Sequence, residues 1–343
     1  MCVMKRYKNA QEYCFVRRTM SRKVRWGIIS TARINRRVAP GIKVSPITQL
    51  IGIASRDLTR AEQAVQKFGA QKAFASYDAL LASEDIDAVY ISLPNSLHAE
   101  WIIKAAEAGK HVLCEKPLTS NVTEAQHAVR ACEKAGVLLM EAFMYRHHPQ
   151  HTLVKELITG GDIGELNTVR SRFTFYLPPS NNVRWQRTLA GGALMDIGCY
   201  CINVSRYLFD AEPYSAQAQW ALIESHGVDA TTLAILNFPN NCYASFTSSM
   251  LLHRTQQYQV IGTEGTISVP TALPLSDHAP LVQLHTREGM KEWTIPQVDH
   301  YQLQIEHISH CILDDTKLTY PAENGLANMR VVEMVRKAAT EAG

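Results

Sequence analysis

The sequence predicts an α/β chain of two units: a doubly wound parallel sheet, then an α+β unit built on a large, mostly antiparallel open sheet. Three observations carry this. Up to residue 145, near-continuous apolar runs alternate with helical stretches, as parallel strands buried on both faces do. From 146 onward the runs are longer and alternate apolar with polar residues, and few helices separate them, which fits a sheet with one solvated face. At 343 residues the chain can bury two cores, and 46% apolar with 20% charged residues is ordinary globular composition.

In chain order, Val24-Arg25-Trp26-Gly27-Ile28-Ile29-Ser30 is a strand ending in small residues, and Thr31-Ala32-Arg33-Ile34 opens a helix. A second strand covers 49–55. Asp57 caps a helix that runs to Phe68 and stops at Gly69. Strand 86–93 is bounded by Pro94-Asn95, helix 97–108 by Gly109, and strand 111–114 leads into Glu115-Lys116-Pro117. Helix 123–135 and strand 137–140 complete a nucleotide-binding unit of the Rossmann type over 22–145. The substrate and dimerisation unit, 146–343, reads as helix 151–158, strands at 169–176, 216–223, 230–238, 242–249, 256–262, 266–269 and 282–285, and helices at 195–208 and 322–339. Gly262-Thr263-Glu264-Gly265 is a hairpin turn. No linker separates the units, so they are expected to pack closely, with the last helix returning to the first.

Charge and cysteine usage narrow the class. Net charge is +3, but residues 1–25 hold eight Lys/Arg against Glu12, so the body is mildly acidic and offers no basic face to nucleic acid. The basic stretch lacks an apolar or amphipathic pattern. It reads as a disordered leader over 1–21, with a natural start at Met20, rather than as a targeting or nucleic-acid arm. No window approaches the ~18 apolar residues of a membrane helix. The eight cysteines show no CxxC spacing, and Cys199 and Cys201 would point to different helix faces. Reduced thiols, no metal and a cytoplasmic setting follow.

Chemistry-bearing residues gather at strand ends, where open parallel sheets bind ligands. The first turn should cradle a phosphate, yet the dinucleotide fingerprint positions hold Ser30, Ala32 and Asn35, none a glycine. Ser30 and Ala32 are still small, and Ser30 and Thr31 add hydroxyl donors; a plain tight turn is the competing reading. The second strand ends in Ser55-Arg56, with Arg60 one turn on. Guanidinium forks match a 2′-phosphate, and Asp57 is occupied as a helix cap, so NADP is read over NAD unless both arginines merely face solvent. Pro94-Asn95 and His98 follow Leu93 toward the same crevice, where Asn95 could meet ribose or nicotinamide and His98 could equally cap or pack. Glu115-Lys116-Pro117 places an acid, a base and a rigid imide at one edge; a lone Lys-Pro is usually a solvated loop. Asp196 and Tyr200, four apart after Gly191-Gly192, share one face of an α-helix.

Taken together, Pro94-Asn95-x-x-His98, Glu115-Lys116-Pro117 and Gly191-Gly192-x-x-x-Asp196-x-x-x-Tyr200 resemble the Gfo/Idh/MocA family of NAD(P)-dependent oxidoreductases, over about residues 22–340. Arg25-Trp26-Gly27-Ile28-Ile29-Ser30-Thr31-Ala32, Ala54-Ser55-Arg56-Asp57, Met140-Glu141-Ala142-Phe143-Met144-Tyr145-Arg146 and Met195-Asp196-Ile197-Gly198-Cys199-Tyr200 are similar to a branch of D-xylose 1-dehydrogenases and dimeric dihydrodiol dehydrogenases. The resemblance implies Lys116 beside the nicotinamide, often after a cis bond to Pro117, and Asp196 and Tyr200 by the substrate. It also implies cofactor contacts at Ser30, Thr31, Ala32, Arg33, Ile34, Ser55, Leu93, Pro94, Asn95, His98 and Glu115, and a homodimer or higher oligomer through the second sheet. Stretch 273–280 resembles nucleotide-sugar 3-ketoreductases instead.

The expected reaction is hydride transfer between NADP(H) and a CH–OH carbon of a D-xylose-like aldose or a cyclic trans-diol. Tyr200 or Lys116 would take the hydroxyl proton, with Lys116 lowered in pKa by the cationic nicotinamide and Asp196 orienting Tyr200. Arg146, Phe175, Tyr176, Arg184 and Trp185 are expected to close over the substrate. The alternative is an NADPH-dependent nucleotide-sugar 3-ketoreductase. A non-catalytic NADP-sensing regulator would have lost Lys116 or the Asp196/Tyr200 pair, and a redox-neutral glycosidase would keep bound NAD.

Overall fold

The computed structural model describes residues 22–272 and 280–342; the expectations placed on 1–21 and on 273–279 lie outside the described residues. The first sheet consists of β1 (Val24–Ile29), β2 (Thr48–Ala54), β3 (Lys72–Phe74), β4 (Ala88–Ile91), β5 (His111–Cys114) and β6 (Leu139–Glu141). All pairs are parallel, and the order is β3-β2-β1-β4-β5-β6. The order reverses between β1 and β4, which opens a crevice beyond their carboxyl ends. Helices α1 (Asn35–Val44), α2 (Leu58–Phe68), α3 (Tyr77–Leu81), α4 (His98–Glu107) and α5 (Val122–Ala135) connect the strands. The caps behave as expected: Asp57 accepts the Arg60 amide and Asn121 accepts that of Glu124.

The first unit departs from expectation at its short pieces. β3 has three residues and α3 five, too short for any periodicity to register, although Ser76 caps α3 by accepting the Ala79 amide. Helix α1 begins at Asn35 rather than Thr31. Residues 31–34 form the turn itself, because Asn35 Nδ2 reaches back to the Ser30 carbonyl at 2.9 Å.

The second sheet has eight strands: β7 (Leu166–Tyr176), β8 (Ser215–Ile223), β9 (Val228–Phe238), β10 (Cys242–Ser249), β11 (Leu251–Gly262), β12 (Gly265–Val269), β13 (Leu281–Thr286) and β14 (Gly289–Thr294). Their order is β14-β13-β12-β11-β7-β10-β9-β8, antiparallel throughout except for the β10–β7 pair. The turn at Thr263-Glu264 is the expected hairpin between β11 and β12. Along β7, Val169, Ser171 and Phe173 point inward while Arg170 and Arg172 point out. The alternation fails at Thr174, which is also buried, because pairing with β11 slips between Leu251 and Thr255 and Thr174 Oγ1 donates to the His253 carbonyl. The exposed strand β14 was not expected: only Trp293 in it is even half-buried.

Helices α6 (Pro149–Thr159) and α7 (Cys199–Phe209) belong to the second unit, α8 (His300–Asp314) returns to the first, and α9 (Ala322–Glu341) packs against both. Ile305, Ile308 and Cys311 of α8 join Trp26, Val38 and Ile42 in one buried cluster, and Trp26 Nε1 donates to Ser309 Oγ at 3.2 Å. Glu333 of α9 accepts the Val122 amide at 2.8 Å. The other buried cluster is continuous from Ile29 in β1 to Val335 in α9. Among the described residues no helix is long and apolar enough to cross a membrane, and the six described cysteines are free thiols.

Candidate active site

The crevice is built first at the β1–α1 turn. Ser30 stands where the fingerprint wants glycine and adopts φ 104°, a region unfavourable to a residue with a side chain. Its hydroxyl contacts the Ser92 carbonyl at the end of β4 (2.9 Å) and accepts the Ala32 amide (3.1 Å). Asn35, fully buried at the third fingerprint position, bridges the Ser30 carbonyl and the Ser92 hydroxyl. A serine–serine–asparagine knot thus replaces the glycines. Ahead of α1, whose first turn carries no acid, Arg33 is exposed and Thr31, Ala32 and Ile34 are half-buried. An anion fits there: a helix N-terminus, small residues and no opposing charge.

At the end of β2, Ser55 Oγ accepts the Asp57 amide and Arg56 is exposed beside Tyr77. Asp57 is engaged with the Arg60 amide and, at 3.7 Å, with its guanidinium. The carboxylate that could hold a ribose 2′-hydroxyl is therefore occupied, while Arg56 stands exposed against the Tyr77 hydroxyl, an arrangement suited to a 2′-phosphate.

Lys116 follows β5, across a cis bond to Pro117. Its Nζ donates to the Asp196 carbonyl at 2.7 Å and to Asp196 Oδ1 at 3.3 Å, and lies 5.1 Å from the Tyr200 ring centre. Arg184 Nε takes the other carboxylate oxygen at 2.6 Å. Burial alone would raise the Asp196 pKa, but Arg184 and Lys116 outweigh it and hold the group at about 2. Burial pulls the Lys116 pKa down, yet Asp196, Cys199 and Glu115 together raise it. The protein's own charges thus work against the lowered lysine expected from sequence. Glu115 accepts from Tyr90 Oη at 2.5 Å and is itself raised by burial.

Residues 194–198 form a π-helical turn rather than the start of an α-helix. The wider turn sets Asp196 and Tyr200 on either side of Lys116 instead of against each other. Tyr200 donates to Met144 Sδ at 3.5 Å, is only 4% exposed, and burial raises its pKa well above the ordinary value. The expected Asp196–Tyr200 contact is replaced by these partners. The turn is anchored by Asp229 of β9, whose Oδ2 accepts the Leu194 amide at 2.7 Å.

Other expected site residues are engaged elsewhere. His98 is fully buried, its ring nitrogens 2.9 Å from the Leu93 and Pro117 carbonyls, so it ties the β4 and β5 exits together. Pro94 caps the short 3₁₀ turn at 95–97, and Asn95 donates to the Ala190 carbonyl at 2.8 Å across the crevice. Arg146 is buried, stacks on Tyr320 and bonds Asn324, away from Lys116. Trp185 is buried against His226, Phe175 is half-buried and Tyr176 is exposed. Sequence reading missed Ser92, Asp229 and Glu141. A polar residue closing an apolar strand run was the available signal for Ser92 and Glu141; nothing local marked Asp229.

The description "Oxidoreductase family, NAD-binding Rossmann fold" of GFO/IDH/MocA matches residues 24–143, and "GFO/IDH/MocA C-terminal domain" matches 151–268. The chain is 35% identical to the D-xylose 1-dehydrogenase (NADP(+)) 2 of Haloferax volcanii, covering 92% of this chain and 97% of that one. It is 30% identical to the trans-1,2-dihydrobenzene-1,2-diol dehydrogenase of Xenopus laevis, covering 93% and 96%. Among solved structures, a Tyr-to-Phe variant of a 3-ketoreductase from Actinomadura kijaniata, in complex with TDP-benzene and NADP, matches with TM-score 0.88 and 32% identity over 92% of this chain and 98% of that one. That reductase was also solved with a lysine replaced, and its two substituted positions are spaced as Lys116 and Tyr200 are here. The chain belongs to the GFO/IDH/MocA oxidoreductase family.

Proposed function

We propose that this enzyme moves a hydride between NADP(H) and a CH–OH carbon of a D-xylose-like aldose or a cyclic trans-diol. The carrying observation is the Lys116–Asp196–Arg184 cluster at the mouth of the parallel-sheet crevice. The turn at Ser30, Thr31, Ala32, Arg33 and Ile34 would hold the pyrophosphate, and Arg56 with Arg60 the 2′-phosphate. Leu93, Pro94 and Glu115 would border the nicotinamide, with Asn95, His98 and Pro117 shaping that wall. The bound cofactor supplies the hydride chemistry.

The protein's part is to place the carbinol and handle one proton. Lys116 is the group offered to the reacting oxygen, with Asp196 and Arg184 reading the neighbouring hydroxyl. In oxidation the hydroxyl proton passes to Lys116 or Tyr200 as the C–H hydride leaves; in reduction the same proton returns. The cationic state that Asp196 and Glu115 favour makes Lys116 a ready donor, which supports the second reading, an NADPH-dependent nucleotide-sugar 3-ketoreductase. Phe175, Tyr176 and Arg184 would then discriminate the substrate.

The open face of the second sheet supports a homodimer or higher oligomer. Leu233, Ile235 and Tyr243 stand exposed on it beside Arg170 and Arg172.

The test is a spectrophotometric panel with both cofactors: D-xylose, D-glucose, other aldoses and trans-dihydrodiols in oxidation, and a 3-keto-sugar nucleotide in reduction. Turnover with an aldose or diol and NADP is expected. Activity confined to the keto-sugar nucleotide moves the assignment to the second reading, and a preference for NAD refutes the Arg56 role.

A further inference from the structure

Glu141 ends β6, one strand from Lys116, and no step above uses it. Its Oε1 accepts the Leu118 amide at 2.8 Å, two residues beyond the lysine. Its Oε2 is buried without a hydrogen-bond partner, and so is Nε of Arg146. Both side chains line a small cavity with Phe143, Asn324 and Gly325, with room for about one water. A buried carboxylate oxygen and a buried guanidinium N–H facing one water-sized space are the polar partners such a water needs.

We propose that Glu141 is a positioning residue for Lys116: through the Leu118 amide, and through a buried water shared with Arg146, it fixes where the lysine's loop leaves the sheet. The inference rests on the reading of Lys116 as the group at the reacting carbon. An ionised carboxylate grips an amide about twice as strongly as a neutral acceptor, so the grip depends on Glu141 being charged. Several charged or titratable groups face it: Arg206 and Cys199 of α7, Arg146 and His147 of the 144–147 turn, Lys116 and Cys114 of β5 and its exit, and Tyr320 ahead of α9. Burial raises its pKa, with Arg206, Arg146 and Lys116 pulling back, to about 7. The grip is therefore present above neutrality and fades below it.

The experiment compares wild type with Glu141→Gln across pH 5 to 9 in the full chain. Glutamine keeps an acceptor for Leu118 but not the charge. Above pH 8 the variant's kcat should fall roughly 10- to 100-fold, the scale of an ångström's misplacement, with KM for NADP within a few-fold. Below pH 6 the two rates should converge, because wild-type Glu141 is then neutral as well. A wild-type to variant ratio that stays constant with pH, even with a lowered Tm, overturns the proposal. If the glutamine variant does not fold, Arg146→Gln carries the test: loss of that cation should move the acid limb of kcat to higher pH, and an unmoved limb overturns the proposal. Lys116→Met separates the two levels. It should lose turnover by about 10²–10⁴-fold while NADPH affinity stays within a few-fold. Full turnover in Lys116→Met overturns the catalytic reading and this inference with it; loss of turnover there together with a pH-independent Glu141→Gln effect overturns the positioning role alone.

Discussion

Asp196 is the residue on which the site's electrostatics turn. It lies between two cations, one shielded and one open: the side chains of Lys116 and Asp196 are 13% and 14% exposed, that of Arg184 is 42%. Because Asp196 raises the Lys116 pKa, Asp196→Asn should let the ammonium lose its proton at lower pH. In reduction, where Lys116 donates the proton, the alkaline limb of kcat should then move down in pH, and in oxidation, where it accepts, the acid limb should; limbs that stay put would mean Lys116 is not the titrating group. The resemblance of their two short motifs brings Lys116 and Asp196 to one site, and the structure places the two in contact. The proton assignment was not legible, because pKa depends on neighbours gathered from the β5 exit, Arg184, the 194–198 turn, α7 and α8. Arg146 shows the opposite failure: it looked like a site arginine next to a strand end, and it is consumed by Tyr207, Tyr320 and Asn324, residues far away in sequence.

At the level of elements, the parallel strands were readable because burial on both faces leaves a continuous apolar run, as in Ala88–Ile91. The π turn was not, since its width is set from β9. Asp229 accepts the Leu194 amide and fills the space beside Gly192, where an added Cβ would lie 2.1 Å from Asp229 Oδ1. Gly192 also adopts φ 109°, and its amide closes on the Arg184 carbonyl at 2.8 Å. Gly192→Ala should therefore cost about 1–3 kcal/mol of stability and misplace both Arg184 and Asp196. Urea titration and kcat should fall together; an unchanged midpoint would show that the turn tolerates the side chain. Helix α8 escaped sequence reading because three histidines and several polar residues dilute its apolar stripe, although Asp299 caps it in the ordinary way.

Across the whole molecule, two of those histidines, His300 and His307, form a seam with His148 and His147 where 147–151 meets α8. His147 lies 5.1 Å from His307, and His148 lies 6.3 Å from His300. Burial pushes His147 and His300 down to about 3 and His148 to about 4. The unfolded chain binds their protons near pH 6.5, so it gains protons that the fold does not as acidity rises. Stability should be flat above about pH 6.5 and fall progressively toward pH 4, visible as a dropping Tm; a Tm level over that window would refute the seam's role. Two units were evident from the change of pattern near residue 146, but the return of α8 across the first unit was not, because it is fixed by Trp26 meeting Ser309 rather than by anything local. That return makes the nucleotide unit an unfinished body by itself: cut after 145, it would bare Trp26, Val38 and Ile42 to water. The two halves are therefore expected to melt together. Calorimetry should show one cooperative transition, its enthalpy matching the van't Hoff value, and NADP should lift that single transition as a whole, so that a ligand gripping only the first sheet steadies the second as well.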